Sequence, residues 1–461
     1  MSRIVVALLI VACTVTCPAL AEDVVGWRTD WTGKYPDADP PLTWSATENV
    51  VWKTPMPSAS NSTPILIGDK LLVCSEPSTL VCLNLSDGKV LWQKDNPLLE
   101  AFSAEELAKA KAEMERIGVD KVQETIKGLE RDLNQVRRDL RKNRDDEALK
   151  KKDRDLQEQI AAEKKKFEPV AQYMDPPTHG TNGYTSATPV SDGKHVWVVF
   201  GTGVVACYDL DGNRKWITFV EQPKERNGWG FCTSPVLAGD KLFVIIDSLV
   251  ALNAADGKLV YRVPAQARWG TPTLTTVDGT EILVTAAGDF FRTSDGAKLL
   301  GRTVSLEYNQ PIVEAGIVYF IQNGGKAYKL PEQVSGDKLE ATPLWTTEPK
   351  KDRYYASPVI HDGLIYDITQ ASIFSAIDAA TGKVVYEQNL GLGREQAYPS
   401  ITLAGKHLFV SGSSGTTAVV EPGRTFKEIG RNTLESFRST PVFRGTRMYV
   451  RTLKHVYCIG K

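Results

Sequence analysis

Neither sign of charge prevails in this chain: 55 Lys and Arg stand against 56 Asp and Glu over 461 residues. That balance removes the global electrostatic pull that nucleic acid or an anionic membrane surface needs, so any charged site has to be local. Cysteine is scarce. Seven are present, and Cys13 and Cys17 lie in the first 21 residues. The remaining five are an odd number, which excludes a scaffold stapled throughout by disulfides. There is no Cys-Cys dipeptide and no Cys-x-x-Cys-His haem attachment. Long apolar runs are missing too, apart from IVVALLIVACTV at 4–15. At twelve residues it is too short to span a bilayer securely.

That run sits in a leader. MSR supplies the positive end, and ALA at 19–21 supplies small residues at a cleavage site. Residues 1–21 are expected to direct export and to be cut after Ala21, leaving no transmembrane segment and a periplasmic or secreted protein. IVAC at 10–13 leaves open a lipoprotein signal on Cys13, and an uncleaved anchor is the third reading.

What the chain does have is repetition. NSTPILIGDKLLVC starts at 61, CTSPVLAGDKLFVI at 232 and RSTPVFRGTRMYVR at 438. The copies are marked by Pro64, Pro189, Pro235, Pro272, Pro311, Pro358, Pro399 and Pro441. From the second copy onward the spacings are 46, 37, 39, 47, 41 and 42 residues, the period of a propeller blade. Within a copy, Gly-Asp-Lys or Asp-Gly joins two β-branched runs into a hairpin. A third apolar run follows, then a turn containing Gly, then a fourth run carrying Trp or Tyr. Four short antiparallel strands cannot bury both faces of one sheet, whereas sheets stacked around an axis can. The expected fold is all-β: an eight-bladed propeller of four-stranded blades.

The most regular phrase covers the third strand, turn and fourth strand: CLNLSDGKVLW at 82–92, ALNAADGKLVY at 251–261 and AIDAATGKVVY at 376–386. Gly88, Gly257 and Gly382 are expected where a positive φ is needed. Trp92, Trp216, Tyr261 and Tyr386 end the phrase, where each ring can cover the adjacent blade. Cys82, Cys207 and Cys458 occupy the place that Ala251 and Ala376 hold elsewhere, which reads as small core residues. The last copy stops at HVYCIGK after three strands. ENVVWKTP at 48–55, with Trp52 in the aromatic place, supplies the fourth and closes the ring. Residues 22–97 then hold the leading segment, the closing strand and the first blade, and 173–461 hold the other blades.

Between the first two copies lies an excess of about 80 residues. Residues 103–168 carry 18 Lys and Arg, 17 Asp and Glu and one aromatic, Phe167. Ser103 with Glu106 reads as a capping box, Gly118 as a stop and Asp120 as a second cap. Ile126, Leu129, Leu133, Val136 and Leu140 step by three and four, the seam of a coiled coil. Asn143 to Asp146 is a turn, and Leu149, Leu156, Ile160 and Phe167 return. An inserted α-helical coiled-coil hairpin at 98–172 is expected, either a solvated outcrop or an arm for a protein partner.

The repeated phrase resembles the tryptophan-docking repeat of quinoprotein-like propellers, an Ala-x-Asp-x-x-x-Gly-x-x-x-Trp pattern, over nearly all of 44–461 except the insertion. WRTDWTG at 27–33 is similar to the leading segment of secreted bacterial proteins with PQQ-like repeats. The resemblance implies one of two activities. The family includes pyrroloquinoline-quinone (PQQ)-dependent alcohol dehydrogenases, with a vicinal disulfide, a Ca²⁺ site and a catalytic Asp. It also includes non-enzymatic assembly lipoproteins of the BamB type, which bind protein partners. None of the enzyme's residues can be matched here, so no catalytic or metal-binding residue and no cofactor is expected. The favoured reading is an exported, non-catalytic binding or scaffold propeller, with no nucleic acid as partner. The alternative is an alcohol or sugar dehydrogenase using PQQ with calcium.

The loops joining one blade's last strand to the next blade's first share one face. They contain Arg226, Trp229, Arg268, Trp269, Arg353, Tyr355, Arg394, Tyr398 and Arg438. Arginine forks among aromatic faces suit an anionic or planar ligand, or the acidic segment of a partner. The structural alternative has the rings wedged between blades and the arginines paired with Glu225, Asp352 and Glu395. His195, His361 and His407 fall in equivalent turns of different copies and cannot converge on one metal.

Overall fold

A computed structural model describes residues 23–224, 228–394 and 396–460, so the expected leader lies outside the described residues. Eight antiparallel sheets follow one another along the chain. The first contains Ile65–Ile67, Lys70–Ser75, Thr79–Asn84 and Val90–Asp95, and the pattern repeats through to Val442–Arg444, Arg447–Arg451 and His455–Gly460. The apolar clusters show how the sheets meet. Leu72, Cys82 and Leu80 of blade 1 pack with Val198 and Tyr208 of blade 2. Blade 2 packs on blade 3, 3 on 4, 4 on 5, 5 on 6 and 6 on 7 in the same way. A final cluster joins blades 7, 8 and 1 through Phe409, Tyr449 and Leu71. The sheets therefore form a closed eight-bladed propeller.

Five of the eight junctions are fastened at their outer edge by an aromatic of the fourth strand. The indoles of Trp52, Trp92, Trp216 and Trp345 donate to the carbonyls of Leu85, Leu210, Ala254 and Ala379 on the next blade at 3.0–3.1 Å. The Tyr261 hydroxyl reaches Thr293 O at 2.8 Å. Under these rings lie Gly88, Gly212, Gly257, Gly382 and Gly296. On its own sheet every such aromatic faces a small residue: Trp52 and Trp92 face Cys458 and Cys82, Trp216 faces Cys207, Tyr261 faces Ala251 and Trp345 faces Ala327. The cysteines are free and buried, filling the place where a larger side chain would push the ring off its neighbour. Tyr386 differs. It meets Phe426 edge-on at 6.0 Å.

Val50–Pro55 pairs antiparallel with His455–Gly460, Trp52 opposite Cys458, and completes blade 8. The residues before it do more than lead in. Val24 bridges Leu66 of blade 1, and Val25 O accepts from Ser191 N of blade 2 at 2.7 Å. Gln310, before blade 5, accepts from Trp27 Nε1. Lys34–Tyr35 then pairs parallel with Thr402–Ala404, the first strand of blade 7. The segment thus enters the axial channel, turns at 27–33 and leaves beside blade 7. Arg28 is fully buried there and donates to Ile401 O at 2.9 Å. One repeat needs re-registering. Ile401, not Pro399, occupies the place of the repeat proline in blade 7, because Ile401 N donates to Ser357 O at 3.3 Å and proline has no N–H to give.

The insertion contains α1 (Ala104–Ile117), α2 (Val119–Lys142) and α3 (Glu147–Lys165). Ser103 and Glu106 form the expected capping box, and Gly118 ends α1 at φ 69°. Asp120 is no cap: α2 starts at Val119, so its carboxylate lies in the first turn. Val122, Ile126, Leu133 and Val136 of α2 bury against Leu156 and Ile160 of α3, with Leu129, Leu140, Leu149 and Phe167 at the margins. This core is separate from those of the blades. At the base of the insertion, Phe102 packs on Tyr173 at 4.6 Å and on Phe219 of blade 2 at 5.1 Å.

Candidate functional site

The residue two positions before each first strand faces the axis, and around the channel mouth these residues hold one another. Thr188 N donates to Ser234 Oγ of the next blade at 3.0 Å, and Ser234 N to Thr271 Oγ1 at 3.2 Å. Gln310 N donates to Ser357 Oγ, Ser357 N to Ser400 Oγ, Ser400 N to Thr440 Oγ1 and Thr440 N to Thr63 Oγ1, at 2.9–3.2 Å. Six of the eight junctions are therefore closed by a hydroxyl that accepts from the preceding blade's backbone. All six hydroxyl residues line a cavity of about 280 Å³ at the loop-rich end of the channel. Trp27, at the turn of the channel segment, lines it too.

The walls differ from side to side. Across blades 4 to 7 the aromatic rings touch in sequence. Trp269 stacks on Tyr308 at 5.3 Å and 13°, Tyr308 meets Tyr355 edge-on at 4.6 Å, and Tyr355 meets Tyr398 at 4.7 Å. Trp229 of the blade 3 loop stands beyond them, stacked on His179 at 3.9 Å. The opposite wall is polar and is built by the chain returning from the helices. Asn61 Nδ2 donates to Thr181 O at 2.7 Å and Ser186 Oγ at 2.8 Å. Asn182 Nδ2 donates to Trp229 O at 2.8 Å and Phe231 O at 3.0 Å. Glu76 anchors the same stretch by accepting from the amides of Tyr184 and Thr185 at 2.9 Å.

Two cations reach the cavity. Arg353 lies 3.3 Å from the Tyr355 hydroxyl, a contact that raises its pKa above the ordinary value. Arg438 lies on the polar side, 3.4 Å from Thr181 O. Neither forms an ion pair with a carboxylate among the described residues, and no Asp or Glu there lines the cavity. Burial pushes the Cys232 thiol up to about 12, so it faces the cavity neutral. Burial also raises the Tyr308 phenol above its usual value.

Of the residues singled out in the sequence, the cavity brings together Trp229, Trp269, Arg353, Tyr355, Tyr398 and Arg438. Arg268 lies outside the lining: its Nε donates to Ser305 Oγ at 3.0 Å and lies 3.7 Å from Glu307. Arg394 is exposed and outside the lining. Arg226, Glu225 and Glu395 lie outside the described residues. Asp352 accepts from Gln370 Nε2 at 2.8 Å. The hydroxyl ring was not singled out, although its signal was present as the Ser or Thr that stands before the repeat proline in most copies. His195 and His361 each sit 3.3 Å from a neighbouring Asp, in blades 2 and 6, and His407 starts a strand of blade 7. Among the described residues no three His, Cys, Asp or Glu are grouped to hold a metal ion.

A family model described as outer membrane protein assembly factor BamB matches residues 42–111 and 201–459. No curated protein matches the chain. Among solved structures, a europium-containing methanol dehydrogenase is 12% identical over 93% of this chain and 89% of its own, with a TM-score of 0.54. A quinohemoprotein alcohol dehydrogenase from Comamonas testosteroni is 9% identical, covering 95% and 81%, with a TM-score of 0.56. BamB from Moraxella catarrhalis is 14% identical, covering 60% and 83%, with a TM-score of 0.47. At these identities the likeness is one of fold.

Proposed function

The chain belongs to the family of the outer membrane protein assembly factor BamB, PQQ-like propellers, and on that premise we propose a non-catalytic binding protein whose loop-rich face takes an anionic ligand or the acidic segment of a protein partner. The observation that carries this reading is the pair Arg353 and Arg438. Both line a cavity that no Asp or Glu lines among the described residues, and neither is held in an ion pair there, although the charge of Asp352 acts on Arg353. Guanidinium groups left in this state, beside aromatic faces, bind carboxylates through charge-assisted hydrogen bonds.

The same lining does not fit a quinone held by calcium. Ca²⁺ takes about six to eight oxygen ligands, carboxylates prominent among them, and no Asp or Glu lines the cavity among the described residues. The fold shared with the two dehydrogenases does not supply those groups.

The protein's setting is part of the proposal. Residues 1–21 would send it to the cell envelope, and no helix among the described residues is long and apolar enough to cross a membrane. The arm α1–α3 gives a partner a second contact beside the cavity. The test is calorimetric titration with a hexaglutamate peptide, in wild type and in Arg353→Gln/Arg438→Gln. Binding that weakens at least about tenfold in the double variant, with unchanged melting, supports the reading. Equal binding by both proteins refutes it.

A further inference from the structure

The six hydroxyls of the ring have one lone pair committed and the proton uncommitted. Each accepts a backbone N–H from the preceding blade. None donates to an acceptor among the described residues, and all are at most 5% exposed and line the cavity. A hydroxyl carries one donor, and a buried donor without an acceptor is costly. The floor therefore offers a circle of O–H donors to whatever enters. Arg353 and Arg438 add charged donors above it. The polar wall offers the reverse. The Nδ2 groups of Asn61 and Asn182 are bound to the protein, while their Oδ1 atoms accept nothing among the described residues. The ligand must therefore present acceptors to the floor, donors to one side and a flat face to the aromatic arc.

Building on the reading above, we propose that this cavity binds an acidic sugar: a pyranose whose carboxylate meets the arginines and the hydroxyl ring, whose hydroxyls reach the Asn61 and Asn182 amide oxygens, and whose C–H face lies on the rings of Trp269, Tyr308 and Tyr355. A peptide carboxylate answers the floor but carries no fixed set of hydroxyl donors for the amide oxygens. An aromatic acid answers the rings and the arginines but leaves the same oxygens unmet. The volume, about 280 Å³, falls just below the roughly 300–1,000 Å³ of most small-molecule sites, room for one sugar unit or the end of a chain.

The probes are galacturonate, trigalacturonate, galactose, 4-hydroxybenzoate and hexaglutamate, followed by indole fluorescence and calorimetry on the whole protein. Galacturonate is expected to bind at least about tenfold more tightly than galactose, which lacks the charge, and than 4-hydroxybenzoate, which lacks the hydroxyls. Arg438→Gln should remove most of the gap between galacturonate and galactose. Tyr355→Leu should weaken both sugars about equally. A trimer that binds more tightly than the monomer assigns the site to a polymer end, and equal binding assigns it to a free sugar acid. Hexaglutamate binding without galacturonate binding overturns the sugar assignment and leaves the proposed function standing. Equal binding of galacturonate and 4-hydroxybenzoate also overturns it. Failure of every anion to bind removes both readings.

Discussion

The indole of Trp216 lies so close over Gly257 that a β-carbon there would come within 2.6 Å of the ring, and Trp216 Nε1 donates to Ala254 O at 3.0 Å in the same turn. Blade 2 thus grips blade 3 through a residue with no side chain. The relation recurs between Trp52 and Gly88, Trp92 and Gly212, and Trp345 and Gly382, so the repeated phrase is fastening, with its chemistry elsewhere.

Two glycines separate the grip from the backbone requirement. Gly257 has φ 72° and sits under the indole, whereas Gly316 has φ 74° and open space around it. Gly316→Ala should cost only the left-handed backbone penalty, about 1 kcal/mol. Gly257→Ala should cost that plus overpacking of about 1–3 kcal/mol. Denaturant midpoints at unchanged m-value measure both. Equal losses would show that the ring contact contributes nothing.

How much of this was legible depends on whether a feature is local. Gly257, Trp216 and the Ser103–Glu106 box each sit in a phrase of its own short enough to read locally, so turn, strand and cap could be read directly. The closing strand was legible because the last copy lacked a fourth run and ENVVWKTP had one to give. The channel segment was not: Trp27 meets Gln310 across 283 positions, and nothing around Trp27 states that distance. The hydroxyl ring was half legible. Its Ser and Thr residues stood beside the repeat prolines, but their purpose appears only when six of them share one axis. The cavity arginines divided for the same reason. Arg268 and Arg353 occupy equivalent loops, and only the packed structure shows one turned to Ser305 and the other to the cavity.

The ring itself can be tested. In Ser400→Ala the Ser357 amide, now bonded to Ser400 Oγ at 2.9 Å, loses its acceptor in a buried place. The loss should be about 1–3 kcal/mol, with faster hydrogen exchange at Ser357. Thr188 provides the control, because its Oγ1 has no partner among the described residues. Thr188→Val keeps the shape and removes a buried hydroxyl that bonds to nothing, so it should not lower stability. Similar losses in the two variants would mean that the hydroxyls do not tie the blades together.

Asp367, on the second strand of blade 6, is buried with both carboxyl oxygens unpartnered among the described residues. Burial raises its pKa from 3.8 to about 8, although the nearby Ser375 hydroxyl opposes the rise. Between those values the folded protein holds a proton that the unfolded chain releases. This group's contribution is therefore fully present below pH 3.8 and declines as pH rises towards 8, by about 1.4 kcal/mol per pH unit. Asp367→Asn cannot ionise. Its stability relative to wild type should rise steadily between pH 5 and pH 8, read from parallel urea titrations. A difference that stays flat with pH would show the carboxyl to be ionised in the fold.

Residues 22–55 do two jobs that truncation can separate. Val50–Pro55 covers the edge of His455–Gly460, while the stretch from Val24 to Tyr35 fills the channel and sets Trp27 under the cavity. Deleting 22–33 leaves the covering strand in place, together with Tyr35 and Trp44, which pack on Phe443 and Phe409, so the ring stays closed while the cavity loses part of its floor. Deleting 22–55 also bares a strand edge, the kind of surface that recruits other chains. The longer deletion should lower Tm by at least about 5–10 °C more than the shorter one and should shift the protein towards dimers or aggregates in light scattering. The shorter deletion should stay monodisperse but lose ligand binding at the cavity. If both truncated proteins melt together, the closing strand is not what holds blade 8 in the ring.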